Sequence, residues 1–265
     1  MDRCLDVAIQ AARQAGEFLR ASLKGENEVG YKGRGHFNPF SQIDKGAEGI
    51  ILDILGGAFP GHRFISEERG KTGADSDYTW VIDPLDGTVN YIHGYRLFSV
   101  SIALLCHNDV ILGVIYNPLT EEMFTATRGG GAFLNGKAIR VSETASLDKS
   151  LLGTGFPYDR NSEAFLRSIR NFVHLLKVSQ SIRRDGSTAL DLCNVTCGRY
   201  DAFSITGNEV WDYAAGIILV AEAGGRVTDF EGNPFHIYSD KNELLATNGR
   251  IHEAILQCLA EERAT

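Results

Sequence analysis

The stretch from Tyr78 to Thr88 constrains this chain more than any other. Tyr78-Thr79-Trp80-Val81-Ile82 has the length and composition of a buried strand, and it ends directly in Asp83-Pro84-Leu85-Asp86-Gly87-Thr88. Pro84 removes a backbone donor and Gly87 opens conformations closed to other residues, so the spacing predicts a sharp turn where the strand stops. Such a turn aims Asp83, Asp86 and Thr88 into one small volume, as a rim of oxygen ligands. From Thr88 to His93 the chain can start a helix, whose unpaired first-turn N–H groups favour an anion. A phosphate could then lie against Gly87 and Thr88 while metal ions on the aspartates neutralise its other side. The same residues also read as plain architecture, because Asp-Gly is a common turn dipeptide and Asp a favoured helix cap.

Other acids recur in comparable places. Arg63-Phe64-Ile65-Ser66 resembles a strand and ends in Glu67-Glu68, repeating the arrangement at Asp83. Asp44 falls in the first turn of a helix opened by Ser41-Gln42-Ile43, with Ile43, Ala47, Ile50, Ile51 and Ile54 on one face and Phe59-Pro60-Gly61 closing it. Asp212 follows Trp211 at the start of an apolar helix, Tyr213 to Ala223, ended by Gly224-Gly225. Capping or a dipole partnership would by itself account for Asp44 and for Asp212.

Around these points the chain reads as a layered α/β or α+β protein. An amphipathic helix spans Leu5 to Leu23, and Gly25 to Asn38 is a Gly-, Lys- and Arg-rich surface connection whose Lys32 and Arg34 read as solvated charges or as phosphate contacts. Phe98 to Val141 forms an antiparallel meander with a tight hairpin at Asn135-Gly136. Gly129-Gly130-Gly131 lacks the downstream Lys-Ser/Thr of a phosphate-cradling loop and reads as a turn. A polar stretch from Ser142 to Ser150 separates two halves of one domain, about 1–145 and 146–265. In the second half strands alternate with helices, one from about Ser162 to Val178 and one capped by Ser187, which carries Cys193 and Cys197 one turn apart.

Charge narrows the partners. With 26 basic against 34 acidic residues the formal net charge is −8, which argues against a nucleic-acid-binding surface. An acidic protein that handles phosphate esters must recruit cations locally. Five scattered cysteines, no secretory segment after Met1 and no apolar run of membrane-spanning length fit a cytoplasmic protein with no membrane partner.

Taken together, Glu67-Glu68, Asp83-Pro84-Leu85-Asp86-Gly87-Thr88-Val89-Asn90, Gly186-Ser187-Thr188-Ala189-Leu190-Asp191, Trp211-Asp212-Tyr213-Ala214-Ala215-Gly216 and Glu222-Ala223-Gly224-Gly225 strongly resemble the inositol monophosphatase family. The likeness covers nearly the whole chain, with Asp44 also in the family's order. It implies a five-layer αβαβα sandwich, a homodimer, and lithium-sensitive phosphatase activity dependent on two or three Mg²⁺ ions, for which Mn²⁺ can substitute. By the same resemblance Glu67, Asp83 and the Leu85 carbonyl hold one ion, Asp83, Asp86 and Asp212 a second, and a third lies near Glu67. Asp44, Glu67 and Thr88 then serve the attacking water, and Asp212 supports the leaving group. Gly87 and Thr88 hold the phosphate, while Asp86, Gly186, Ser187, Thr188 and Asp212 contact the phosphorylated polyol.

Two positions depart from the family. Asn38-Pro39-Phe40-Ser41 replaces a common Asp-x-Val-Thr, and Ile205 stands where animal-type members carry a sugar-contacting Glu. An apolar side chain cannot accept hydrogen bonds from ring hydroxyls. The expected activity is hydrolysis of inositol-1-phosphate. The alternatives are fructose-1,6-bisphosphatase, histidinol-phosphatase or 3′(2′),5′-bisphosphate nucleotidase activity, or a non-catalytic regulatory role.

Overall fold

A computed structural model describes residues 1–23, 29–31, 39–238 and 243–263. Lys32, Arg34 and Asn38, singled out above, lie outside the described residues. The largest sheet has eight strands, running from β3 (Arg63–Ser66), β4 (Gly70–Gly73) and β5 (Tyr78–Asp86) through β6 (Ser99–Cys106) and β7 (Asp109–Asn117). It continues into β8 (Glu122–Thr127), β9 (Gly131–Leu134) and β10 (Lys137–Ile139). Their spatial order is β10-β9-β8-β7-β6-β5-β3-β4. Every pairing is antiparallel except that of β3 with β5. Asn135 and Gly136 both adopt positive φ between Leu134 and Lys137, which pair across the turn, as the Asn-Gly signal requires.

The strands of this sheet are nearly continuous apolar runs because both faces are covered. Trp80, Ile82, Ile102, Leu104, Leu112 and Val114 pack with the first two helices, α1 (Asp2–Ser22) and α2 (Gln42–Ala58). Val81, Ala103, Leu105 and Ile115, the alternate positions, pack instead with α5 (Thr188–Thr196) and α6 (Val210–Glu222). Helix α1 presses closely on the sheet through Ala8, Ala11, Ala12, Ala15 and Gly16. A short helix, α3 (Thr88–Ile92), follows β5, and α4 (Glu163–Val178) is capped by Ser162, whose Oγ accepts the Phe165 N–H.

Beyond α5 and α6 lies a five-stranded sheet. It comprises β11 (Leu151–Thr154), β12 (Ser181–Arg183), β13 (Ala202–Thr206), β14 (Arg226–Thr228) and β15 (Glu243–Thr247), in the order β12-β11-β13-β15-β14. Its outer face is covered by α4 and α7 (His252–Arg263) around Leu152, Leu175, Leu245, Ile255 and Leu259. The layers therefore run α1/α2, large sheet, α5/α6, small sheet, α4/α7, which is the αβαβα sandwich expected from the resemblance. One core cluster joins β5–β9 to α5, α6, β13 and β15, so the two halves of the chain share their apolar interior.

One expectation needs correction. The strand β5 does not stop at Ile82 but continues through Pro84 to Asp86, with a register shift between Asp83, opposite Ser101, and Asp86, opposite Ser99. Bulging leaves Pro84 and Leu85 outside the ladder, so the missing proline N–H costs no pairing. The bulge, rather than a strand end, gathers the acids.

His252 lies completely buried between Thr228 and Thr247. Thr228 Oγ1 donates to the Asp229 carbonyl, so it receives the His252 Nε2–H at 3.0 Å. Nδ1 then accepts from Thr247 Oγ1 at 2.9 Å, and the network assigns a neutral ring. Burial, with Arg226 adding repulsion, lowers its pKa to about 4. An unfolded histidine takes up its proton near pH 6.5, so between there and about 4 the unfolded state binds the extra proton and stability falls with acidification. The full shift corresponds to about 3 kcal/mol. His252→Asn is therefore expected to be destabilising at pH 7.5, with the deficit shrinking by roughly 2–3 kcal/mol at pH 5. Urea midpoints of both proteins at the two pH values measure this.

Candidate active site

Strand β5 brings Asp83, Leu85 and Asp86 to the C-terminal end of the large sheet, and the parallel neighbour β3 delivers Glu67 just beyond its own end. Helix α6 supplies Asp212 from its first turn. Glu67, Asp83, Leu85, Asp86, Gly87, Thr88 and Asp212 line one pocket of about 540 Å³. Gly186, Ser187 and Thr188 line an adjoining recess together with Asp86 and Asp212. Of the residues given a catalytic, metal-binding or substrate-binding role by the resemblance, Asp44 alone lines neither space. It is buried behind Thr88, whose Oγ1 donates toward Asp44 Oδ1 at 3.3 Å and the Leu85 carbonyl at 3.1 Å.

Local bonds hold the acids in place. Asp83 Oδ1 accepts the Leu85 N–H at 3.0 Å, closing the bulge on itself. Gly87 takes φ +92°, and a side chain there would meet the Leu97 carbonyl, so only glycine lets the chain leave the bulge into α3. That helix has five residues, a single turn. Asp86 accepts the Thr188 N–H at 3.1 Å, the Ala189 N–H at 3.0 Å and the Ser99 hydroxyl at 3.3 Å. It also accepts from the Ser187 hydroxyl, so it ties the bulge to the start of α5 across a hundred residues of sequence. Three of these four bonds fall on Oδ2, leaving Oδ1 with capacity for a further ligand. Asp212 does cap its helix, through the Glu209 N–H at 2.8 Å, and lines the pocket as well. Capping therefore does not take the residue out of the pocket.

Ser187 works in two directions, since its Oγ also accepts the Leu190 N–H at 3.3 Å. Ser187→Ala is expected to destabilise the protein by about 1–3 kcal/mol, from a lost cap and an unsatisfied buried acceptor on Asp86. Denaturant midpoints check the figure.

The electrostatics are one-sided. Glu67, Asp83, Asp86, Asp159, Glu209 and Asp212 line the pocket, and among the described residues lining it none is Lys, Arg or His. Burial pushes the Asp83 carboxyl well above the usual range, and the charges of Glu67, Asp86 and Asp212 push it further. Asp212 is raised by burial, then by Asp86 and Glu67. Burial raises Asp86 to about 6, held back by its bonds from Ser187, Ala189, Thr188 and Ser99.

Comparison with known proteins completes the assignment. The profile of the inositol monophosphatase family matches residues 1–264. The chain belongs to the inositol monophosphatase family. It is 42% identical over 257 residues to an inositol-1-monophosphatase of Synechocystis, covering 97% of this chain and 88% of that protein. An Escherichia coli relative named Nus factor SuhB is 40% identical over 264 residues, covering 99% of this chain and 97% of the relative. The structure of an inositol monophosphatase from Anabaena superposes with a TM-score of 0.88 at 41% identity, covering 98% of this chain and 96% of that one. Membership places the protein among the phosphoric monoester hydrolases.

As an inositol monophosphatase family member, the chain has a donor set suited to a hard divalent cation. Carboxylates and the Leu85 carbonyl are oxygen donors that suit Mg²⁺ or Mn²⁺, and the acids around Asp83 repel one another. Among the described residues no three His, Cys, Asp or Glu side chains already form an ion cage. Like-charge repulsion opposes a tighter gathering until a cation offsets it.

Several residues around the site escaped the sequence reading. Glu48, fully buried, accepts the Glu68 and Arg69 N–H groups at 3.0 and 3.1 Å and pairs with the Arg69 guanidinium at 3.2 Å, so it holds the turn that follows Glu67. Its position one helical turn after Asp44 was the available signal. Tyr158, Arg184 and Asn208 line the recess without any spacing that announces them, and Asp191, quoted above in the family motif but given no role, lines it too.

Proposed function

We propose that the protein is a Mg²⁺-dependent phosphomonoesterase of small phosphorylated polyols, with inositol-1-phosphate as substrate. The observation that carries this reading is a pocket whose described lining has six acidic side chains and no basic one, with Asp83 and Asp86 buried and those two and Asp212 pushed up in pKa. Glu67, Asp83, Asp86, Asp212 and the Leu85 carbonyl would hold the ions. When bound, these supply positive charge to the phosphoryl oxygens and lower the pKa of water.

The chain's own groups do the rest. Thr88 Oγ1 gives its proton toward Asp44 and Leu85, so its lone pair is left to accept from a water in the pocket. Asp44, shielded from solvent, can take a proton relayed through that hydroxyl. Glu67 fixes the water from the other wall. The Gly87 and Thr88 backbone lines the phosphate's side of the pocket, and the recess of Gly186, Ser187 and Thr188 receives the polyol. Asp212 borders both spaces and faces the leaving oxygen.

Phosphate release from inositol-1-phosphate should require added Mg²⁺, vanish with EDTA and be inhibited by lithium. A panel with fructose-1,6-bisphosphate, histidinol phosphate and adenosine 3′,5′-bisphosphate tests the choice, and no turnover of any inositol phosphate overturns it. A homodimer is the expected assembly, supported by the exposed Leu166, Val173 and Leu176 on α4, and light scattering should give twice the monomer mass. Among the described residues no helix is long and apolar enough to cross a membrane, and the five cysteines are free thiols, consistent with a cytoplasmic enzyme. The relatives named Nus factor SuhB favour a second, regulatory role on the same fold. Asp83→Asn in cells separates them: a purely regulatory protein keeps its function.

A further inference from the structure

Of the acids proposed as metal ligands, Glu67 stands on the least supported backbone. Asp83 and Asp86 belong to β5, inside the large sheet, and Asp212 to helix α6. Glu67, Glu68 and Arg69 instead form a three-residue hairpin loop between β3 and β4, closed by the pairing of Ser66 with Gly70. Strand β4 is the edge of that sheet, and three of its four residues are exposed. A loop at a sheet edge opens more easily than an interior strand. On the side of β5 the Glu67 N–H donates to the Ile82 carbonyl at 3.3 Å. The second restraint comes from outside the sheet.

Glu48, on α2 and fully buried, supplies it. Its Oε1 accepts the Glu68 N–H at 3.0 Å and the Arg69 N–H at 3.1 Å, and its Oε2 meets the Arg69 Nε at 3.2 Å in an ion pair. The Glu68 N–H belongs to the planar peptide unit whose carbonyl is that of Glu67, so Oε1 fixes that plane and the direction in which the Glu67 side chain leaves the loop. The Arg69 guanidinium lies across α2 at Gly49, where an added Cβ would stand 3.6 Å from Nη2. A carboxylate taken out of water is costly unless its donors are in place. The donors are in place when the loop is closed on α2, and an open loop strips Glu48 of them. The buried charge therefore selects one loop conformation more strongly than a neutral hydrogen bond could. Helix α2 thus backs the site twice, from Asp44 to Thr88 and from Glu48 to the loop that carries Glu67.

We propose that Glu48 is a positioning residue for Glu67: by clamping the 67–69 loop to α2 it sets the affinity of the acidic pocket for a divalent cation, while itself lining neither the pocket nor the recess. This rests on the reading of Glu67 as a metal ligand.

Mn²⁺ binding to the substrate-free protein, followed by the electron paramagnetic resonance signal of the free ion, tests it. Glu48→Gln keeps an acceptor oxygen for the two amides but loses the ion pair, and Glu48→Asp keeps the charge but is one methylene shorter. Glu48→Gln should raise the Mn²⁺ Kd about tenfold and Glu48→Asp at least as much, the range seen when a metal ligand loses its outer partner. Arg69→Ala, at a half-exposed side chain, leaves both amide bonds and should raise it about threefold. Glu222 is the matched control. It too accepts two loop amides, of Gly129 and Gly131 at 2.8 and 2.9 Å, but at the opposite end of α6 from Asp212 and outside both spaces. Glu222→Gln should lower the urea midpoint and keep the wild-type Mn²⁺ Kd. A wild-type Kd in folded Glu48→Gln and Glu48→Asp overturns the proposal and leaves the metal-dependent reading standing. An equal rise in Glu222→Gln also overturns it, since general loss of stability then accounts for the effect. If neither Glu48 variant folds, Arg69→Ala decides, and an unchanged Kd there is fatal. Wild-type protein that binds no Mn²⁺ sinks this proposal and the metal-dependent reading together.

Discussion

Asp83→Asn is expected to lower kcat/KM for phosphomonoester hydrolysis by at least about 10³-fold while making the metal-free protein more stable. The two effects have one origin. Asp83 is buried beside Glu67, Asp86 and Asp212, and its carboxyl is pushed up by burial and by those three charges. An amide of the same size can still accept the Leu85 N–H but no longer adds a negative charge to the cluster. Removing that charge relieves roughly 1–3 kcal/mol of repulsion at neutral pH, and it removes one of the proposed metal ligands. The sign of the pH effect follows. Asp86, raised to about 6, holds a proton in the folded state that the unfolded chain has released above its ordinary value of 3.8. Metal-free stability attributable to the cluster therefore falls as pH rises from about 4 through 6, and Asp83→Asn flattens that slope. Thermal melts in EDTA and in Mg²⁺ across this range should show the variant gaining without metal and losing the metal-dependent increment. A variant as active as wild type would remove Asp83 from the site.

The second large effect is structural. Gly113→Val should cost at least about 3 kcal/mol, because β7 and α6 meet there with no room for a side chain. A Cβ at Gly113 would stand 2.6 Å from the Ala215 carbonyl oxygen, 3.1 Å from the Ala215 Cα and 2.8 Å from Ile218 Cγ2. Two of these contacts are backbone atoms of a helix, which cannot turn aside as a side chain can. The helix must back away from the sheet, and it carries Asp212 in its first turn. We therefore expect Gly113→Ala, the milder change, to weaken Mg²⁺ activation as well as lower the urea midpoint. A variant with wild-type stability would show that α6 does not need this close approach.

Much of the layout was legible because its signals are local. The alternation of Trp80, Val81 and Ile82, the Asn135-Gly136 turn and the Ser187 cap each depend on a few neighbouring residues. The acids at 67, 83, 86 and 212 were recognisable by type and order, and the three stretches that carry them do meet at one pocket, with Asp44 buried behind Thr88. Pro84 misled, since a proline that ends an isolated strand is harmless in a bulge whose partner strand skips it. Tyr158, Arg184 and Asn208 had no such signal. Their positions depend on how loops between layers settle once the helices have packed.

By itself the sequence determined which strands lie buried on both faces, where helices begin, and which carboxylates are available, because hydrophobic period and turn chemistry act over a few residues. Tertiary structure alone decided that Asp44 sits behind Thr88, that Asp86 ties the bulge to the start of α5, and that Glu48 meets the loop carrying Glu67. Those outcomes are set by the close packing of two sheets against shared helices, where a single backbone contact such as Gly113 against Ala215 fixes what faces what.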